Sequence, residues 1–249
     1  MECTIVSEGL ELAGHLVAPA PGRAAPPGLV LCHGFPSGPA GASAASTTYP
    51  QLAQELSEAT GWAVLTFSFR GAGASPGNFS LRGWLRDLGA AVARLRSEPV
   101  SGVWLAGSSA GGAVALCLAA RDRAIRGVAT LAAPATFASW AANPRRFLER
   151  AREVEAVRDR DFPADFGAWA RELRDIRPLD VVHALAPRPL LLLQGSDDDV
   201  VAPADAQALL ERAGPTAVLR MLDGADHRLR HDPRAIALLG GWMVRQADG

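Results

Sequence analysis

Apolar positions along this chain follow two alternating rhythms. Short, almost unbroken apolar runs are separated by longer stretches in which apolar residues return every three or four positions. Gly28-Leu29-Val30-Leu31-Cys32 is continuous, as a strand covered on both faces should be. Comparable runs occupy Trp62–Phe69, Val100–Leu105, Val128–Leu131, Pro189–Leu193 and Ala217–Leu222. Between them, residues 50–60 have a helical period that Gly61 ends, and Leu81–Arg96 places Leu81, Trp84, Leu85, Leu88, Val92 and Leu95 on one face. Ala110–Ala120 reads as a helix of small residues, and Pro233–Gln246 as the helix that closes the chain. Residues 3–18 read as a hairpin turning at Ser7-Glu8-Gly9, followed by a Pro/Gly/Ala-rich surface loop over 19–28. Strands alternating with crossover helices predict an α/β fold, with a mostly parallel central sheet and helices on both faces, in a single domain over 1–249.

One interval breaks the spacing. Between the fourth and fifth of these runs, residues 136–187 form a long excursion with helical periodicity around Phe147–Val157 and Phe166–Leu173. A connection of that length inside a tightly spaced fold predicts a small helical lid over a site. Phe137, Trp140, Phe147, Phe162, Phe166 and Trp169 are its aromatics, candidates either for a pocket lining or for packing between lid and core. Arg145-Arg146 and Arg158-Asp159-Arg160-Asp161 read as solvated helix faces.

Composition removes several classes of function. The formal net charge is -1, so no basic field exists for nucleic acid or an anionic membrane surface. All 25 basic residues are Arg, which excludes a Schiff-base lysine, a P-loop lysine and a Ser-Lys dyad. Cys3, Cys32 and Cys117 show no CxxC spacing, and two of them lie in apolar runs, so free thiols in a reducing compartment are expected. No apolar stretch reaches membrane-spanning length and no signal-peptide pattern opens the chain, which predicts a cytoplasmic protein without membrane contact. Neither an HExxH motif, a Cys/His pairing nor a calcium-loop spacing is present, so no metal or other cofactor is expected.

Three motifs carry the chemistry. Gly107-Ser108-Ser109-Ala110-Gly111 lies directly after a buried run and directly before a helix. A serine in a tight strand-to-helix turn needs small flanking residues, and the helix that follows turns its positive end toward the site. Ser109 is therefore the candidate nucleophile, with Ser108 off the centre of the turn. The run Leu191-Leu192-Leu193-Gln194-Gly195 ends in Asp197, Asp198 and Asp199, any of which could orient a histidine. Asp223-Gly224-Ala225-Asp226-His227 follows the last run, and His227 alone among His15, His33, His183, His227 and His231 has this position after serine and acid. A histidine titrating near neutrality can take the proton of Ser109 and return it to a leaving group.

Together these residues resemble the α/β-hydrolase superfamily, over essentially the whole chain. In that family nucleophile, acid and base follow in the order in which Ser109, Asp198 and His227 stand here. The resemblance selects Asp198, because Gly195, Asp198 and Val201 match the family's Gly-x-x-Asp-x-x-Val pattern. His33-Gly34-Phe35-Pro36 is similar to its oxyanion loop, which implies that the backbone N–H groups of Phe35 and Ala110 form the oxyanion hole. His33 would then shape the loop. Phe69-Arg70-Gly71-Ala72-Gly73-Ala74-Ser75 resembles a structural turn of the same family. The resemblance is to small serine esterases, dienelactone-hydrolase-like enzymes and prolyl-oligopeptidase-like catalytic domains, and the activity it implies is hydrolysis of a small-molecule ester-like substrate through an acyl-enzyme. Thioesterase or aminopeptidase-like amidase chemistry uses the same triad, and a non-catalytic binding protein can retain it.

Overall fold

A computed structural model describes residues 1–18, 25–36 and 41–247. In chain order the elements are β1 (Glu2–Ser7), β2 (Leu10–Val17), β3 (Gly28–Cys32), α1 (Tyr49–Thr60), β4 (Ala63–Phe67), α2 (Leu81–Arg96), β5 (Val103–Ser108), α3 (Ala110–Arg121) and β6 (Ile125–Leu131). Then come α4 (Ala138–Ala142), α5 (Pro144–Glu153), α6 (Phe166–Asp175), α7 (Pro178–Val181), β7 (Leu190–Gly195), α8 (Pro203–Ala213), β8 (Ala217–Leu222) and α9 (Pro233–Ala247).

The strands form one sheet in the order β1-β2-β4-β3-β5-β6-β7-β8. β2 pairs antiparallel with both of its neighbours, and every later pairing is parallel. The unbroken apolar runs divide by alternation between the two faces. In β3, Val30 and Cys32 join the core beneath α2, α3 and α8, whereas Leu29 and Leu31 join the core beneath α1 and α9. The same division in β7 sends Leu190 and Leu192 one way and Leu191 and Leu193 the other. The sheet is thus covered on both faces by helices, as the rhythm of the sequence predicts.

The first hairpin is tighter than expected. Ser7 pairs with Leu10 and belongs to β1, so the turn is Glu8-Gly9, both at positive φ (49° and 81°), as a two-residue hairpin requires. The surface loop expected over 19–28 lies outside the described residues for 19–24, and Gly28 already belongs to β3. β5 is shifted toward the C-terminus of its apolar run. Val100 sits in the turn after α2, where its N–H donates to the Glu98 carbonyl, while Gly107 and Ser108 still pair with Thr130 and Leu131 of β6. The apolar rhythm does not signal α8. Its buried face is Ala206, Leu209 and Ala213, too small in contrast to stand out.

Residues 132–189 between β6 and β7 carry α4–α7 and pack on the same face as α2 and α3. Phe137, Phe147 and Trp169 are buried in that core, and Trp140, Phe162 and Phe166 are partly buried against it. The Trp169 indole N–H donates to the Phe79 carbonyl at 3.2 Å. The cluster at 158–161 is not a helix face. The cluster is exposed, but the Arg158 guanidinium donates to the carbonyls of Gly73 and Ser75, both at 3.1 Å, while Asn78 Oδ1 accepts the N–H groups of Arg158 and Asp159. Ala156 accepts the Phe79 N–H at 2.8 Å, fixing this segment to the turn after β4. That turn is held from the other side by Arg70 and the fully buried Asp87 of α2, whose nearest N–O pair is 2.7 Å apart. Among the described residues no helix is long and apolar enough to cross a membrane.

Candidate active site

Ser109 lies between the last residue of β5 and the first of α3, with φ 50° and ψ −126°. A non-glycine residue rarely occupies this region, so the turn is held by its surroundings. The Ser109 N–H donates to the Leu131 carbonyl at 2.8 Å, and its carbonyl accepts the Ala113 N–H at 3.1 Å. The flanking glycines answer to close packing. A Cβ on Gly107 would lie 2.6 Å from the Gly112 nitrogen, and one on Gly111 would collide with the His33 carbonyl oxygen. These contacts bring the first turn of α3 against both β5 and the loop after β3.

The hydroxyl of Ser109 meets His227 across the C-terminal edge of the sheet. Ser109 Oγ and His227 Nε2 are 3.0 Å apart, and His227 Nδ1 is 2.9 Å from Asp198 Oδ2 and 3.1 Å from Oδ1. An ionised carboxylate only accepts hydrogen bonds, so Nδ1 carries the proton and Nε2 is left to accept the serine hydroxyl. The Asp198 side chain is buried, whereas Asp197 and Asp199 are exposed. Its Oδ1 also accepts the N–H groups of Val200 (2.9 Å) and Val201 (2.8 Å), and its Oδ2 accepts Gln194 Nε2 at 2.9 Å. Gln194 belongs to none of the motifs read from the sequence. Its one visible signal is a polar residue near the end of an otherwise apolar strand.

The remaining histidines go elsewhere. His15 pairs with Glu2 at 2.7 Å, and His183 and His231 are exposed, each in a short helical turn. His33 is fully buried: its Nδ1–H donates to the Gly34 carbonyl at 2.8 Å, and its Nε2 accepts the Phe69 N–H at 3.0 Å. A trans peptide directs its carbonyl and its N–H to opposite sides. With the Gly34 carbonyl drawn toward the His33 ring, the Phe35 N–H faces away from it. The loop runs against the candidate nucleophile, since a Cβ on Gly34 would be 3.0 Å from Ser109 Cβ. Among the described residues the Phe35 N–H has no acceptor. The Ala110 N–H heads α3, where no carbonyl of the preceding turn is available to it. The side chain of Phe35 joins an aromatic cluster, with ring centroids 4.9 Å from Phe79 and 5.2 Å from both Trp140 and Phe147.

Burial pushes the His33 imidazole down to about 4. The folded chain therefore keeps residue 33 neutral where the unfolded chain, titrating near 6.5, takes up a proton. His33 contributes its full stability above about pH 6.5 and loses it as the pH falls toward 4, in all about 3 kcal/mol at 1.36 kcal/mol per unit. Urea unfolding between pH 7 and 4 should show this slope in the native chain and a shallower one in His33→Asn. Equal slopes would contradict a buried neutral imidazole.

A mostly parallel sheet of this order, with a serine at the strand-to-helix turn after β5 and an aspartate and a histidine on the loops after β7 and β8, defines an α/β-hydrolase fold. The model of the alpha/beta hydrolase family matches residues 29–238, and the chain belongs to that family. No curated protein matches the sequence. Among solved structures, the chain is similar to Est1E from Butyrivibrio proteoclasticus, with 20% identity, a TM-score of 0.73, and 98% of this chain and 96% of that one covered. It is similar to the esterase domain of a Rhodothermus marinus protein, with 25% identity, a TM-score of 0.70 and coverage of 99% and 97%. The esterase Pf2001 of Pyrococcus furiosus is alike at 19% identity, with a TM-score of 0.73 and coverage of 100% and 91%.

Proposed function

We propose that this hydrolase cleaves carboxylic esters through Ser109, His227 and Asp198. The observation that carries this reading is the continuous hydrogen-bonded line from Ser109 Oγ through His227 to Asp198 Oδ2, at 3.0 Å and 2.9 Å, on a strained strand-to-helix turn. His227 Nε2 takes the hydroxyl proton as Ser109 Oγ bonds to the ester carbonyl carbon. The resulting oxyanion lies between the N–H groups of Phe35 and Ala110, at the positive end of α3. The imidazolium, stabilised by Asp198, gives its proton to the departing alkoxide, leaving an acyl-serine. Water attacks this ester with His227 again as base, and the acid and free serine are released. Every proton in this cycle moves between groups of the chain, the substrate and water, so no cofactor is called for. Residues 136–187 act as a lid, and the partly exposed rings of Phe35 and Trp140 offer the acyl group an apolar wall. The esterases similar in fold agree with an ester substrate.

The test is covalent. A fluorophosphonate should label the protein at one site and abolish hydrolysis of p-nitrophenyl acetate in step, with fragment ions placing the adduct on Ser109. An adduct on Ser108, or full activity after labelling, overturns the proposal.

A further inference from the structure

We infer that Gln194 is a positioning residue for the acid of this site, an inference that rests on the triad reading above. Gln194 is the penultimate residue of β7, in a strand otherwise made of leucines and a closing glycine, and it is fully buried. Both hydrogens of its amide are committed. Nε2 donates to Asp198 Oδ2 at 2.9 Å and to the Val201 carbonyl at 3.1 Å. Because both partners are acceptors, the orientation of the amide is fixed, and its carbonyl oxygen is left buried with no hydrogen-bond partner. A buried polar atom without a partner is costly. A methionine of similar length would fill the same core position without that cost. What the amide provides instead is a second tether on Asp198 Oδ2, the oxygen that also accepts His227 Nδ1–H at 2.9 Å.

The four donors divide the work. Val200 and Val201 N–H hold Oδ1, and Gln194 and His227 share Oδ2. With Oδ1 anchored to the loop, Gln194 fixes the rotation of the carboxylate about its last bond and hence the direction in which Oδ2 meets the imidazole. The amide also draws electron density from that oxygen. Without this donor Oδ2 is more basic and stabilises the imidazolium of His227 more strongly. The protonated, inactive form of His227 then persists to higher pH.

The experiment compares native protein with Gln194→Met and Gln194→Glu, following kcat, KM and the pH dependence of kcat/KM on p-nitrophenyl acetate. Gln194→Met should lower kcat about 10-fold with KM unchanged, the size expected for a lost hydrogen bond to a charged group. The acid limb of kcat/KM should move to higher pH, and further still in Gln194→Glu, where a second carboxyl stands beside Asp198. The other ionisable groups around His227 are untouched by the substitution: Asp226 and Arg228 on its own loop, Arg230 and His231 on the next turn, Asp197 and Asp199 beside Asp198, and His33 behind Ser109. An acid limb identical to the native one in both variants overturns the inference, as does a loss of activity matched by a fall in folded protein on thermal unfolding. The triad reading fails separately: it falls if Ser109 or His227 variants remain active, whatever Gln194 does.

Discussion

Ser109→Ala lowers kcat on an activated ester by about a million-fold, the loss expected when the nucleophile of a Ser-His-Asp site is removed and the oxyanion donors remain. The protein stays folded, because an alanine here keeps the backbone of the native turn, with its bonds to Leu131 and Ala113. It also keeps the strain. Residue 109 has φ 50° with a Cβ attached, a conformation costing on the order of 1–3 kcal/mol. Ser109→Gly is equally inactive but relieves that cost, less about 0.5–1 kcal/mol for the added freedom of its unfolded chain. The glycine variant should therefore unfold at a temperature roughly 2–4 °C above the alanine variant, for about 1 kcal/mol in a chain of this length. Calorimetry and a p-nitrophenyl ester assay on the two variants decide it. Retained turnover in Ser109→Ala excludes Ser109 as nucleophile, and a glycine variant less stable than the alanine one excludes a strained turn.

The contrast between residues readable from sequence and those that are not has a physical origin. Ser109 is readable because its environment is local: a buried run before it, small residues on either side and a helix after it. The strands are readable for the same reason, though the direction of each side chain is not, since Leu29 and Val30 look alike until helices cover opposite faces. Asp197, Asp198 and Asp199 are identical as residue types, and only family resemblance separates them. In the folded chain the difference is burial and four converging donors on the middle one. Arg158 is exposed, as its charge suggests, but its bonds to the carbonyls of Gly73 and Ser75 are not readable because those residues are more than eighty positions away in sequence. Gln194 escapes notice because its partner Asp198, though only four residues on, lies beyond the end of the strand, where neither strand nor helix period predicts a contact.

Asp198→Asn carries the second large effect, about a ten-thousand-fold fall in kcat with the fold retained. The reason follows from the donors around the carboxylate. Val200 and Val201 both direct backbone N–H groups at Oδ1, so the asparagine carbonyl oxygen takes that place and the NH2 group takes the place of Oδ2. The NH2 then faces His227 Nδ1 and Gln194 Nε2, where the native side chain accepts from both. Two donors cannot bond each other, so His227 changes tautomer: Nδ1 becomes the acceptor and Nε2 carries the proton. An Nε2–H facing Ser109 Oγ at 3.0 Å cannot take the serine proton, and the imidazolium has lost its neighbouring charge. Asp197→Asn and Asp199→Asn, at exposed positions without a bond to His227, should keep activity within a few-fold of native. Steady-state rates on p-nitrophenyl acetate, with circular dichroism as the check on folding, test all three together. A ten-thousand-fold loss at 197 or 199 with little change at 198 would move the acid of the site to another residue.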